Sequence, residues 1–147
     1  MIKKRKPTVG NVKFRSNIEK EFYLALRKMR IEFDYEPRYD LSGPSVHKNK
    51  KVRLISNRGA DQVYMTVDFR FIVSGITYIV DCKGARETDR DKSKVKYLLL
   101  KHKLLNDGLG ETTEIRWIYT KQIHKLCQLA AYAPQEFWAE FLKIKTI

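Results

Sequence analysis

The clearest alternation of apolar and polar positions along the chain lies in residues 67–83. Two runs rich in β-branched and aromatic residues flank Ser74-Gly75, a dipeptide typical of a tight hairpin turn. If these two residues form the loop, counting outward along both strands pairs Phe69 with Val80. The pattern therefore predicts an antiparallel hairpin whose register follows from its turn.

This register predicts a cluster of three ionisable side chains. One step beyond the last pair, Asp68 is expected directly opposite Asp81, and Lys83 projects on the same side as Asp81 because side chains two apart share a face. Directly opposed residues have Cβ atoms roughly 5 Å apart, and like charges at that distance destabilise a sheet. Two carboxylates there favour a bound cation, and oxygen-only ligation favours Mg²⁺ or Mn²⁺.

A first helix is predicted to begin at Ser16, because Ser16 and Glu19 have the spacing of a capping box. Glu19 lies at the edge of the apolar stripe of this helix, from which it would reach the carboxylates of the hairpin. Capping alone also explains Glu19, and Glu21 and Glu36 are the alternative third carboxylates. The stripe consists of Ile18, Phe22, Ala25, Leu26 and Met29.

Three further strands are predicted from alternation and β-branched content. Residues 31–39 alternate apolar and polar side chains and are expected to form a strand that ends near Pro37. A short strand is expected at residues 52–55. Residues 114–119 are predicted to form a strand beside residues 76–83, across a helical crossover.

Two helical regions are predicted after the hairpin. One helix is expected to begin near Thr88 or Asp89 and to end at Gly108. Residues 121–147 are expected to form two short amphipathic helices separated near Pro134. Together the elements predict an α/β fold with a mixed central sheet flanked by helices and a helical C-terminal extension. The apolar side of the first of these helices is predicted to be Val95, Leu98, Leu99, His102 and Leu105.

The charge of the chain narrows the class of partner. Its 30 Lys and Arg against 17 Asp and Glu give a net charge of +13, which favours binding to nucleic acid through its phosphates. No apolar run approaches the ~20 residues of a spanning helix, and no signal peptide is evident. We therefore expect DNA rather than an anionic membrane as partner, and a cytoplasmic location.

Length and composition predict one domain preceded by a basic arm. Residues 1–13 are expected to form the arm, and residues 14–147 a single domain with a core at about 14–120. Basic residues occur in the arm, in the Gly-, Pro- and Ser-rich loop at 42–51 and on the outer side of the helix after the hairpin. They either contact phosphates or are simply solvated. The candidate DNA contacts are Lys3, Lys4, Arg5, Lys6, Arg15, Lys48, Lys50, Lys51, Arg86, Lys94 and Lys101.

The two cysteines, Cys82 and Cys127, form neither a Cys-x-x-Cys pair nor a zinc-binding spacing with histidine. Zinc and a disulfide framework are therefore not expected. Cys82 falls on the strand face opposite Asp81, where a buried apolar role is expected.

An acid, a second acid and a lysine two residues beyond it are a minimal set for phosphodiester hydrolysis, because a bound metal activates water and the lysine offsets negative charge. Asp68, Asp81 and Lys83 resemble in this way the acid–spacer–acid-x-Lys motif of the PD-(D/E)XK nuclease superfamily. The chain departs from the motif at Val67, where proline is usual, and at Asp81, where Glu is commoner. Neither departure removes a ligand.

Within that superfamily, residues 14–19 and 31–36 are similar to phage junction-resolving enzymes of the endonuclease I type found in T7-like phages. Residues 81–96 are also similar to an uncharacterised group of phage nucleases, so that the resemblance covers about residues 12–105. It implies a restriction-endonuclease-like core, Glu19 as the first-helix acid and metal ligand beside the hairpin acids, and Mg²⁺- or Mn²⁺-dependent hydrolysis that leaves a 5′-phosphate.

For the resolving branch, the resemblance further implies a homodimer that cuts two strands of a four-way Holliday junction during DNA recombination. Two alternatives remain at this point. The chain is otherwise a sequence- or end-directed nuclease of a transposition or restriction system, or a non-catalytic basic DNA-binding module.

Overall fold

The computed structural model describes residues 8–41, 64–84 and 90–146 of the chain. The strands are β1 (Thr8–Val9), β2 (Val12–Lys13), β3 (Phe33–Tyr35), β4 (Arg38–Asp40), β5 (Tyr64–Thr66), β6 (Phe69–Val73), β7 (Ile76–Lys83) and β8 (Thr113–Tyr119). The helices are α1 (Asn17–Lys28), α2 (Arg90–Asn106), α3 (Thr120–Tyr132) and α4 (Phe137–Leu142). The predicted strand at 52–55, the loop at 42–51 and the predicted caps Thr88 and Asp89 lie outside the described residues.

The centre of the fold is a four-stranded sheet in the order β3-β6-β7-β8. Strand β6 is antiparallel to both β3 and β7, whereas β8 runs parallel to β7 and follows it through α2. The predicted mixed central sheet flanked by helices is therefore confirmed. The predicted hairpin is also confirmed, because Phe69 lies opposite Val80 and the turn residues Ser74 and Gly75 both have positive φ, 52° and 80°.

The two faces of β7 pack against different helices. Tyr78, Val80 and Cys82 face a core built with α1, α3 and α4, whereas Ile79 contributes to a second core with α2. Alternation along one strand thus separates the two layers. The face predicted for Cys82, opposite Asp81, is confirmed, but its side chain is half-buried rather than buried. The apolar stripe of α1 is also confirmed, since Phe22, Ala25 and Leu26 are buried and Ile18 and Met29 pack beside them.

The predicted apolar face of α2 is wrong. Val95, Leu98 and Leu105 are 57%, 53% and 58% exposed, and His102 is exposed as well. The helix buries instead Tyr97, Leu100 and Leu104, with Leu99 half-buried. Apolar residues occur on several sides of this helix, so that its periodicity selects no single face. Packing against Ile79 and Ile115 of the sheet makes the choice. The predicted end of the helix is correct, because α2 ends at Asn106 and Gly108, two residues later, has a φ of 76°.

The strand predicted at residues 31–39 is divided in two. Glu36 adopts a left-handed φ of 55° and precedes Pro37, so β3 ends at Tyr35. Strand β4 then pairs with β5 in a separate two-stranded sheet. Strand β5 was not predicted, because three residues are too few to show a period. Strands β1 and β2 form a small antiparallel pair within the predicted basic arm.

The C-terminal part follows β8 directly. Helices α3 and α4 are separated by a turn that begins at Pro134, as predicted. Phe137 and Phe141 of α4 are fully buried against the sheet, so the aromatic residues of this part serve core packing. Buried Arg116 of β8 donates to the carbonyl oxygens of Phe141, Leu142 and Ile144 and pairs with Glu114 at 2.6 Å. No helix within the described ranges is long and apolar enough to cross a membrane.

Candidate active site

Asp68 lies one residue before β6, at the edge of the central sheet. The predicted ladder position of Asp68, directly opposite Asp81, is wrong, because the last pair of the ladder is Phe69 with Val80. The chain bends at this residue because its carbonyl oxygen accepts the N–H of Glu36 at 2.8 Å. Its carboxylate instead reaches β7, where Oδ2 accepts the backbone N–H of Cys82 at 2.7 Å. The carboxylate is thereby held beside the following strand.

Asp81 and Lys83 lie two residues apart on the α2-facing side of β7. Nζ of Lys83 and Oδ2 of Asp81 form an ion pair. The side chain of Lys83 is 13% exposed and that of Asp81 is 11% exposed. The shared face predicted for these two residues is therefore confirmed. Because both groups are nearly buried, their attraction is screened far less than that of a surface ion pair.

Glu19 reaches the same region from the first turn of α1. Ser16 caps the helix, accepting the Glu19 N–H and donating its hydroxyl to Glu19 Oε2, both at 3.4 Å. Glu19 is only 5% exposed, and its carboxylate contributes to the electrostatic field at Asp68. Glu19 therefore both takes part in the helix cap and lies beside the hairpin acids.

The two alternative third carboxylates point to other partners. The carboxylate of Glu21 lies 3.1 Å from Nδ1 of His124 on α3, and Glu36 forms an ion pair with Arg15 at 3.4 Å. Of the three glutamates considered, Glu19 is the one that is buried.

The neighbouring acids change the pKa of Asp68. Burial, followed by the negative charge of Asp81 and then the carboxylate of Glu19, raises the pKa of Asp68 from 3.8 to about 10. Three acidic groups therefore share one region with the single ammonium of Lys83, among the residues that the structure describes. The negative charge there is under-compensated, which favours either a retained proton or an added cation.

Aromatic side chains complete the surroundings of Lys83. Its Nζ lies 5.0 Å from the ring centroid of Trp117 and 5.8 Å from that of Tyr97, and these two rings meet edge to face. Burial, then the charges of Asp81 and Asp68, raise the pKa of the Tyr97 hydroxyl. The rings shield the ion pair from water.

Sequence reasoning missed three residues of this site, namely Tyr35, Tyr97 and Trp117. Burial and the charge of Glu19 raise the pKa of the Tyr35 hydroxyl, which places this side chain near the acids. In the parallel pair of β7 and β8, Trp117 lies opposite Asp81. A long crossover does not fix the register of two parallel strands, so the sequence carried no signal for this placement.

The donors fit a hard divalent cation by their chemistry, though not as a preformed cage. Glu19, Asp68 and Asp81 offer only carboxylate oxygens, the type of ligand that Mg²⁺ and Mn²⁺ prefer, and Oδ2 of Asp81 is buried. Across residues 8–41, 64–84 and 90–146, however, no three His, Cys, Asp or Glu side chains stand in the geometry of a metal site. The fit therefore rests on charge and donor type.

Most of the predicted DNA contacts lie outside the described residues. These are Lys3, Lys4, Arg5, Lys6, Lys48, Lys50, Lys51 and Arg86. The remaining three, Arg15, Lys94 and Lys101, are exposed, and Arg15 pairs with Glu36.

Comparison with known proteins adds no relative. The chain matches no protein-family model, and no curated protein matches it in sequence. Conclusions about catalysis therefore depend on the side chains of the site itself.

Proposed function

We propose that this protein is a Mg²⁺- or Mn²⁺-dependent DNA endonuclease with a restriction-endonuclease-like core, and that it acts on branched DNA as a phage-type junction-resolving enzyme. The observation that carries the proposal is the convergence of Glu19 from α1, Asp68 before β6 and Asp81 on β7. Two buried acids and the half-buried Asp68 beside Lys83 cost stability, since like charges and burial both oppose ionisation. A fold retains such a cost most readily at a functional site.

The roles of the side chains follow from their positions. Glu19, Asp68 and Asp81 would hold the metal, which supplies a water of lowered pKa and neutralises the scissile phosphate. Lys83, held by its ion pair with Asp81, places an ammonium where it offsets the negative charge that develops on the phosphate and orients the attacking water. Trp117 keeps this ammonium in a low-dielectric setting, where its charge acts more strongly.

The net charge of +13 supports DNA as the substrate. Released counterions favour binding of a basic protein to any DNA, so charge alone does not select a branched structure. The preference for a junction rests on the resemblance of the sequence to phage resolving enzymes, and the cleavage assay below separates it from a sequence- or end-directed nuclease.

A homodimer belongs to the proposal, because cutting two strands at a junction requires two sites. Its support in the fold is the exposed side of α2, where Val95, Leu98 and Leu105 are each more than half exposed. Leu109, just beyond the helix, is 47% exposed. Apolar side chains in such a row are typical of a surface that associates.

The test is cleavage of labelled four-way junction, flap, duplex and single-stranded DNA in Mg²⁺, Mn²⁺ or EDTA. We expect metal-dependent cutting of the junction in preference to the linear duplex. Asp81→Asn and Lys83→Ala should each reduce cleavage by at least about 100-fold, the usual order for loss of a metal ligand or of a charge-stabilising donor, while DNA binding persists. Asp107→Asn is the matched control, since Asp107 pairs with Lys103 at the surface, at 3.6 Å. Equal cutting of junction and duplex would remove the resolving assignment.

A non-catalytic DNA-binding module is the second candidate, favoured by the lack of a preformed three-ligand metal arrangement in the described parts of the chain. It predicts that the wild-type protein binds DNA in EDTA and cuts none of the four substrates in either metal. Asp81→Asn would then leave both binding and the DNA unchanged.

A further inference from the structure

A cleft of about 440 Å³ opens beside the edge strand β8, a volume within the range of small-ligand sites, roughly 300–1,000 Å³. The edge strand forms one wall, the first turn of α3 contributes another, and the C-terminal segment after α4 closes the third side. Its lining residues are Trp117, Tyr119, Gln122, Lys143, Ile144, Lys145 and Thr146.

This cleft adjoins the candidate active site through the register of the sheet. In the parallel pair of β7 and β8, Lys83 lies opposite Tyr119 and Asp81 opposite Trp117. Neighbouring strands are about 4.8 Å apart, and Nζ of Lys83 lies 5.0 Å from the ring of Trp117. One tryptophan therefore borders both the ammonium and the cleft.

The lining combines aromatic rings with cations. Tyr119 is 37% exposed and lines the cleft. Lys143 and Lys145 are exposed on the opposite wall, where Lys143 lies 3.6 Å from Glu140. Gln122 accepts the Tyr119 N–H through Oε1 at 3.0 Å, which turns its amide into a fixed group with an NH₂ donor.

These features match the chemistry of single-stranded DNA better than that of a duplex. An unpaired base exposes a π-face that stacks on aromatic side chains, and lysines beside it bind the backbone. In a duplex the base faces are covered by neighbouring bases, so an aromatic wall of the protein has no base face on which to stack. A cleft of this volume accommodates a small planar group rather than a helix.

We propose that the cleft binds an unpaired nucleotide of the DNA strand, with Tyr119 stacking on its base and Lys143 and Lys145 contacting phosphates, one strand away from Lys83. The inference deepens the proposed function, since it assigns unpaired nucleotides next to the scissile phosphate as the feature that the enzyme selects. Its binding part is measured without any cleavage.

The binding experiment uses fluorescence anisotropy of a labelled short oligothymidine in EDTA. We expect Tyr119→Leu to weaken binding by about 5- to 150-fold, the loss that removal of one base–aromatic stack produces, whereas Tyr119→Phe retains wild-type affinity. The matched control is Tyr132→Leu, because Tyr132 lies at the far end of α3 and is 89% exposed. Thermal melts of each variant show whether the fold is kept.

The salt dependence tests the lysines. Replacing Lys143 and Lys145 together by Ala should lower the slope of log K against log salt by about 1.4, since each contact with a single strand contributes about 0.7. Lys28→Ala, at the exposed end of α1, should leave that slope within half a unit of the wild-type value.

Fluorescence also locates the base. The chain has two tryptophans, Trp117 and Trp138, so Trp138→Phe leaves Trp117 as the single reporter beside the cleft. Oligothymidine should quench this emission in the Trp138→Phe protein, and the added change Tyr119→Leu should shift the quenching to higher oligonucleotide concentration by the same factor as in the anisotropy assay.

The results separate the two proposals. Wild-type affinity for oligothymidine in Tyr119→Leu, or an equal loss for linear duplex, overturns the cleft as a nucleotide site even if the protein cuts DNA. Selective loss for the single strand supports the cleft, and it does so even where the wild-type protein cuts no substrate in Mg²⁺ or Mn²⁺. In that last case the endonuclease proposal alone fails.

Discussion

Replacing Asp68 by Asn separates the effect of this acid on the stability of the fold from its role in cleavage. The amide keeps the size of the carboxylate, and its oxygen still accepts the N–H of Cys82, which Asp68 binds at 2.7 Å. What the change removes is the cost of taking up a proton on folding, since burial and the charges of Asp81 and Glu19 oppose an ionised carboxylate at this position. We therefore expect Asp68→Asn to be more stable than the wild-type protein in EDTA and inactive in Mg²⁺.

The size of the gain follows from the pKa of Asp68, which rises from 3.8 to about 10 on folding. At pH 7 the unfolded chain has released this proton, while the folded protein retains it. The difference spans about 3 pH units, and at about 1.4 kcal/mol per unit it destabilises the folded protein by about 4 kcal/mol. For a chain of this size that corresponds to a change in melting temperature of about 10 °C.

The sign of the pH dependence is set by the raised pKa. A group with a raised folded-state pKa contributes its stability fully below the unfolded value near 4, and the contribution is lost as the pH rises toward about 10. The free energy of unfolding of Asp68→Asn should therefore equal that of the wild type at pH 4. The gap between them should then widen by about 1.4 kcal/mol per pH unit.

Urea denaturation in EDTA at pH 4, 6 and 8 measures this gap. Adding Mg²⁺ at about 100 times its dissociation constant should stabilise the wild type by about 2.7 kcal/mol and the variant by much less. Asp107→Asn, at a surface ion pair, should change the free energy of unfolding by less than about 1 kcal/mol at each pH. A variant that is no more stable than the wild type at pH 8, or a gap that is constant with pH, would show that Asp68 does not destabilise the folded protein.

Three further changes test other parts of the structure. Arg116→Met removes the buried guanidinium that holds the end of α4 and should lower the free energy of unfolding in urea by about 3 kcal/mol; a loss below about 1 kcal/mol would contradict that role. Leu98→Lys should convert a dimer to a monomer in light scattering, with Leu142→Lys, also exposed at 51%, as control; dimers that persist exclude this face of α2. Tyr97→Phe should weaken Mg²⁺ binding, measured by calorimetry, by about 10-fold, since the hydroxyl of Tyr97 lies by Asp81. Unchanged affinity would show that the Tyr97 ring contributes only to core packing.

Much of the local structure was predictable because it depends on residues close together in the chain. The hairpin register follows from the two turn residues Ser74 and Gly75, and the start of α1 follows from Ser16 and its bond with the Glu19 N–H. Gly108 ends α2 for the same kind of reason, since a left-handed residue stops a helix whatever surrounds it.

The candidate site was predictable in part. Asp81 and Lys83 share a face because side chains alternate along any strand. Asp68 was placed near them by counting, yet its exact position depends on Glu36, a residue far away in sequence that binds its carbonyl oxygen and ends the ladder at Phe69. Counting along one hairpin contains no information on such a contact.

The amino-acid pattern specifies the elements whose hydrogen bonds and side-chain spacing are local, together with the acids and the lysine that one hairpin brings together. Which side of α2 is buried, and with it the placement of Tyr97 beside Lys83, depends on long-range packing. Apolar side chains occur all around α2, so burial of any side is nearly equivalent until the sheet offers one complementary surface.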